Sequence, residues 1–156
     1  MAFFFYGTLL APQVLSRVLG HEVAKRQWAT LKNYARHRVR GLDYPALIPE
    51  ENAEVRGMVY DGLSVEDMHR LDLFEGEEYA RHDIHLLLED GSEVAAQTYV
   101  WVDSHDRLDH VPWNFDEFLR EKLGRWTGEA STGYEAVEGD TTGGRNLGTF
   151  WDRNAL

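Results

Sequence analysis

Residues 2–9 read Ala2-Phe3-Phe4-Phe5-Tyr6-Gly7-Thr8-Leu9, and the fold follows from how that stretch behaves. A continuous aromatic run has no polar face to offer water, so it predicts a central strand covered on both faces. Gly7 and Thr8 end the run abruptly and predict a tight turn directly after it. The run lacks the basic flank and length of a signal peptide, and it is far short of a membrane span. Outward from the turn, Pro12 suits the first turn of a helix. Val14, Leu15, Val18 and Leu19 make one apolar face at helical spacing, and Gly20 stops it.

Further along, Trp28 to Arg40 mixes aromatic, β-branched and basic residues in rough alternation, which predicts an extended, partly exposed strand or pair of strands. Pro45 and Pro49 bracket Ala46-Leu47-Ile48, and Val55, Gly57 and Val59 alternate with Arg56, Met58 and Tyr60 in a strand with one close-packed backbone position at Gly57. The chain turns at Asp61-Gly62. Ser64-Val65-Glu66-Asp67 then has the spacing of a capping box, predicting a helix with Met68, Leu71 and Phe74 inward and Gly76 at its end. Ala80 to Leu88 and Val94 to Val102 alternate about the turn Asp90-Gly91 and read as a hairpin. His105 and His110 fall in a polar loop with Asp103, Asp106 and Asp109. A last helix starts near Asn114, with Phe115, Phe118, Leu119 and Leu123 inward. The expected organisation is one domain over 1–130 and a Gly/Thr-rich tail over 131–156. Order in that tail depends on docking of Tyr134, Phe150 or Trp151.

A chain of 156 residues with 43% hydrophobic content can fill one core. Its formal charge of −11 disfavours a nonspecific polyanion surface, although Arg36, Arg38 and Arg40 form a local basic cluster. Nucleic acid and membrane are therefore not expected partners. The absence of cysteine removes disulfides, thiolate nucleophiles and Cys-based metal sites, and it fits a reducing compartment, so a cytoplasmic location is expected.

Candidate chemistry sits at the turn Tyr6-Gly7-Thr8-Leu9, at Glu75 between Phe74 and Gly76, and at Tyr79-Ala80-Arg81. A glycine turn after a strand exposes consecutive backbone amides that can receive a carboxylate or an oxyanion, and it also reads as an ordinary tight turn. Glu75 follows an apolar residue at a helix end, where burial would raise its pKa toward that of a useful proton acceptor. It also reads as one of a solvated acidic cluster with Glu77 and Glu78. His82 and His85 are three apart in a strand and so face opposite sides, which disfavours a shared metal. The sequence has no Gly-x-Ser-x-Gly elbow, phosphate loop or dinucleotide fingerprint.

Taken in order, Phe5-Tyr6-Gly7-Thr8-Leu9, Tyr44-Pro45-Ala46-Leu47, Val55-Arg56-Gly57-Met58-Val59-Tyr60, Leu71-Asp72-Leu73-Phe74-Glu75-Gly76 and Tyr79-Ala80-Arg81 resemble the gamma-glutamylcyclotransferase-like family. Within it the chain is most similar to the branch of gamma-glutamylamine cyclotransferase and the plant avirulence-induced proteins. The resemblance covers roughly residues 3–120. It implies an α+β fold, a compact mixed β-barrel flanked by short helices. It implies conversion of a gamma-glutamyl amine or amide to 5-oxoproline and free amine, with Glu75 as general acid/base and Tyr6, Gly7, Thr8 and Leu9 as the substrate loop. Tyr79, like Tyr6, either orients the glutamyl group through its hydroxyl or simply packs. A small gamma-glutamyl compound is then the expected partner, with no cofactor and no metal. A ligand-binding module without turnover, or a hydrolase on the same fold, are the competing readings.

Overall fold

In a computed structural model, residues 2–23, 25–42 and 44–121 are described. The tail assigned to 131–156, together with Leu123, lies outside them. The elements in chain order are β1 (Phe3–Phe5), a 3-10 turn (Thr8–Leu10), α1 (Pro12–Leu19), β2 (Arg26–Val39), β3 (Pro45–Tyr60) and α2 (Val65–Glu75). There follow β4 (Tyr79–Leu88), β5 (Glu93–Trp101), a second 3-10 turn (His105–Arg107), β6 (Leu108–Pro112) and α3 (Phe115–Glu121).

The strands run in the order β3-β1-β5-β4-β2, and β2 pairs again with β3, so the sheet closes on itself as a five-stranded barrel. Only β1 and β5 are parallel, in register at Phe3 and Gln97; the other neighbours are antiparallel. That is the mixed barrel the resemblance implies. The longest seam joins β2 to β3 from Arg26↔Tyr60 to Arg38↔Pro45, with a bulge between Lys32 and Tyr34. Asn33 takes a left-handed φ of 64° there, and its side chain accepts from the Asn52 amide at 3.2 Å. The extra residue switches the inward parity of β2. Before the bulge, Ala29 and Leu31 fill the barrel; beyond it, Val39 packs under the helices.

β1 separates two cores. Phe3 and Phe5 point to one side, against Val14, Leu15 and Val18 of α1 and Met68, Leu71 and Phe74 of α2. Phe4 and Tyr6 point into the barrel, against Leu31, Leu47, Val55, Ile84, Leu86 and Val100. A strand with both faces occupied has no room for a thick neighbour, and Gly57 of β3 supplies the thin one. A methyl group built there would collide with the Phe5 carbonyl oxygen and come within 2.7 Å of the Phe4 ring.

The capping box forms as the sequence predicts. Ser64 Oγ accepts from the Asp67 amide, and Asp67 Oδ2 accepts from the Ser64 amide, both at 3.0 Å. The remaining Asp67 oxygen accepts from His21 Nε2 at 2.7 Å, tying the start of α2 to the end of α1. Burial alone would raise the Asp67 carboxyl, but the His21 and Ser64 hydrogen bonds outweigh it and hold Asp67 below its ordinary value. His21 is raised above its ordinary 6.5, chiefly by its hydrogen bond to Asp67.

Two expectations need correction. Residues 108–112 form β6, pairing with the end of β2 at Val39↔Leu108 and His37↔Pro112, rather than continuing a polar loop. Alternation there is hidden because the short strand sits on the outer part of β2. In α3 the inward residues are Phe118 and, in part, Phe115, whereas Leu119 is exposed. The basic cluster is also dispersed: Arg36 turns toward the turn after β1, and Arg40 pairs with Asp109 at 3.3 Å.

Gly57→Ala is expected to destabilise the fold by about 1–3 kcal/mol or more in urea denaturation, through overpacking; wild-type stability would contradict the tight crossing. The His21–Asp67 pair gives a signed pH dependence. The Asp67 contribution is present above its ordinary carboxylate value and disappears as pH falls through its lowered value. The His21 contribution is present below 6.5 and disappears as pH rises through its raised value. His21→Ala should therefore cost under about 1 kcal/mol at pH 5–6, since the imidazole is largely solvated, and less still at pH 9. An equal loss at both values would count against the pairing.

Candidate active site

Glu75 is the last residue of α2, one position after the fully buried Phe74. Gly76 follows at φ 77°, ψ −165°, a backbone region that essentially only glycine occupies, so the chain leaves the helix sharply toward β4. The Glu75 side chain is thereby kept inside: it is 6% exposed. The acidic cluster divides accordingly. Glu77 faces solvent, Glu78 is buried and accepts from Arg107 Nη1 at 2.7 Å, and Glu75 lines a pocket.

The opposite wall of that pocket is the end of β1 and its turn. Phe4, Phe5, Tyr6, Gly7, Thr8 and Leu9 line it, with Pro45, Tyr99 and Glu75. In the 3-10 turn, Leu10 N–H donates to Gly7 O at 2.9 Å and Ala11 N–H to Thr8 O at 3.2 Å. The Thr8 and Leu9 amides precede the first of these bonds, so the turn itself gives them no acceptor. The volume of the pocket is about 20 Å³, room for a single water, so a larger ligand must move the wall as it enters.

Three long-range contacts hold this wall. Arg36 Nη1 donates to Tyr6 O at 2.5 Å, with its guanidinium 5.3 Å from the centre of the Trp113 ring. The Tyr6 hydroxyl donates to Tyr99 O at 2.6 Å, and Tyr79 donates its hydroxyl to Pro45 O at 2.7 Å. The Pro45 ring in turn lies against Gly7, where a Cβ would come within 2.7 Å of Cγ. Gly7 is therefore required for close approach.

A buried helix-terminal carboxylate and a strand-end glycine turn thus line one pocket on a closed barrel. Residues 3–115 match the family described as gamma-glutamyl cyclotransferase, AIG2-like. The chain belongs to that family. AIG2-like protein A of Arabidopsis thaliana is 36% identical over 120 residues, which is 75% of this chain and 71% of that protein. AIG2-like protein D of the same plant is 36% identical over 117 residues, covering 74% and 76%. Among solved structures, the solution structure of an Arabidopsis thaliana protein superimposes with a TM-score of 0.63 at 30% identity, covering 88% of this chain and 92% of that one. A structure described as gamma-glutamyl cyclotransferase gives a TM-score of 0.60 over 88% and 86% of the two chains. At 13% identity that likeness shows the shared fold alone.

Of the residues singled out in this family member's sequence, Tyr6, Gly7, Thr8, Leu9 and Glu75 surround one pocket. Tyr79 is not part of that lining; it is buried behind Pro45. The hydroxyl protons of both Tyr6 and Tyr79 go to backbone carbonyls, so each fixes the wall of the pocket. Sequence reading missed Arg36, Asp72 and Tyr99 as parts of the site. The partners lie 30 residues apart for Arg36–Tyr6 and 27 for Tyr99–Asp72, beyond the range of any local pattern.

Gly7→Ala would drive a methyl group into the Pro45 ring and is expected to cost about 1–3 kcal/mol in urea denaturation. Tyr79→Phe removes the hydroxyl donor from the Pro45 carbonyl and is expected to cost about 0.5–1.5 kcal/mol. Because both changes act on Pro45, their effects should be non-additive in the double variant. Strict additivity would contradict the Tyr79–Pro45–Gly7 connection.

Proposed function

We propose that this family member is a gamma-glutamyl cyclotransferase that converts a gamma-glutamyl amine or amide to 5-oxoproline and the free amine, with Glu75 as its general acid/base. The observation that carries the reading is the burial of Glu75 in one pocket with the turn Tyr6 to Leu9. Family membership supports the reaction class, and the cysteine-free sequence is consistent with chemistry that needs no thiolate.

In this mechanism the substrate brings its own nucleophile. Glu75 takes a proton from the α-ammonium, and the freed amine attacks the γ-carbonyl carbon, forming the ring C–N bond and placing charge on the carbonyl oxygen. The same carboxyl then gives its proton to the leaving nitrogen as the original C–N bond breaks, and the ring nitrogen loses its second proton, which the departing amine takes up, so that a neutral lactam and a free ammonium result. Closing a five-membered ring within one bound molecule carries the advantage of an intramolecular reaction, with effective molarities for well-oriented groups on the order of 10⁵–10⁸ M. The Thr8 and Leu9 amides supply donors for either the α-carboxylate or the developing oxyanion.

Purified protein incubated with panels of gamma-glutamyl amines and gamma-glutamyl dipeptides should release 5-oxoproline. Glu75→Gln should lower the rate by about 10²–10⁴-fold, the usual contribution of a positioned acid/base. Free glutamate in place of 5-oxoproline would mean hydrolysis. Saturable binding without product would mean a non-catalytic module. Full activity in Glu75→Gln would remove this carboxylate from the mechanism.

A further inference from the structure

Asp72 lies one helical turn before Glu75 on α2, so the two carboxylates share a helix face. Like charges so placed repel, yet Asp72 is held by a compensating pair. Its Oδ1 receives the Tyr99 hydroxyl at 2.6 Å and lies 3.0 Å from Arg81 Nε. Tyr99 stands in β5 and Arg81 in β4, directly paired across the hairpin, so both arrive from one rigid ladder. Tyr99 is also a wall of the Glu75 pocket.

A phenol has one proton, and Tyr99 directs it to Asp72. The remaining capacity of that oxygen is as an acceptor. Burial, the Asp72 hydrogen bond and the negative charges of Glu75 and Asp72 all push the Tyr99 phenol far above its ordinary value, so it keeps its proton throughout the working pH range. Its single proton is committed to Asp72 and so is not offered to Glu75. Tyr99 thus keeps acceptor capacity on its hydroxyl oxygen, and it lines the same pocket as Glu75.

We propose that Asp72 is a positioning residue for the reaction: held by Arg81, it takes the Tyr99 hydroxyl proton and so presents the Tyr99 oxygen, beside Glu75, as a second acceptor for the substrate ammonium. The inference rests on the cyclotransfer reading. With an amide at position 72, the side chain can donate to Tyr99 instead of accepting from it. The phenol then turns its proton toward Glu75 and competes with the substrate for the carboxylate.

The test is steady-state formation of 5-oxoproline by wild type, Asp72→Asn, Tyr99→Phe and the double variant, with melting temperatures measured alongside. Asp72→Asn is expected to lower kcat/KM at least tenfold while melting close to wild type. Tyr99→Phe is expected to lower it similarly. The double variant should be no worse than Tyr99→Phe alone, because Asp72 acts through Tyr99. Glu66→Gln, at the exposed start of the same helix, should leave the kinetics unchanged. Wild-type kinetics in Asp72→Asn, or losses that multiply in the double variant, would overturn the inference and leave the cyclotransfer reading standing. A wild-type protein that forms no 5-oxoproline from any substrate in the panel would remove the reading itself and this inference with it.

Discussion

The structure depends on a three-residue strand buried on both faces. Phe3, Phe4 and Phe5 are at most 3% exposed, and their rings alternate between the barrel interior and the layer beneath α1 and α2. Fully burying one such side chain contributes roughly 1.5–3 kcal/mol, so β1 joins the two cores with a large share of apolar burial for its length. Its backbone is fixed as firmly by β3 on one side and β5 on the other, with Thr98 Oγ1 donating to Phe4 O at 2.9 Å. The turn that follows starts from this fixed strand end. It leaves the barrel where β1 sends it.

Glu75 is placed with similar economy, by securing α2 at both ends. The Ser64–Asp67 capping box and His21 hold the first turn, and Asp72 ties the last turn to Tyr99 and Arg81 on the β4–β5 hairpin. Since Tyr99 O also accepts from the Tyr6 hydroxyl, one residue of β5 connects the carboxylate end of the helix to the glycine turn. The two walls of the pocket are thereby linked through Tyr99. This arrangement suits a reaction in which one carboxylate takes and returns a proton without moving far.

Much of this frame is legible in the sequence because its signals are local. The capping box, Pro12 and Gly20 around α1, the alternating hairpin and the glycine after Glu75 each act within a few residues, and each forms in the fold. β6 escaped because five residues pairing with the outer end of β2 need no internal alternation. Leu119 was placed inward by helical spacing, but α3 covers the core mainly through Phe118. Read locally, Glu75 fits a solvated acidic cluster better than a buried site, and only the turn at Gly76 and the facing wall of β1 take it inside. Arg36, Asp72 and Tyr99 carry no local signature, since their importance arises from partners brought together by strand pairing.

Family membership and fold narrow the chemistry, and the pocket at Glu75 is where we propose that it takes place. The central claim is that Glu75 and the turn from Tyr6 to Leu9 hold one gamma-glutamyl group between them. A crystal structure of the protein with 5-oxoproline tests this most directly. The account predicts the ring between the Glu75 carboxylate and the amides of Thr8 and Leu9, with the pocket widened to admit it. Ligand bound elsewhere, or an unchanged pocket at saturating 5-oxoproline, would contradict it.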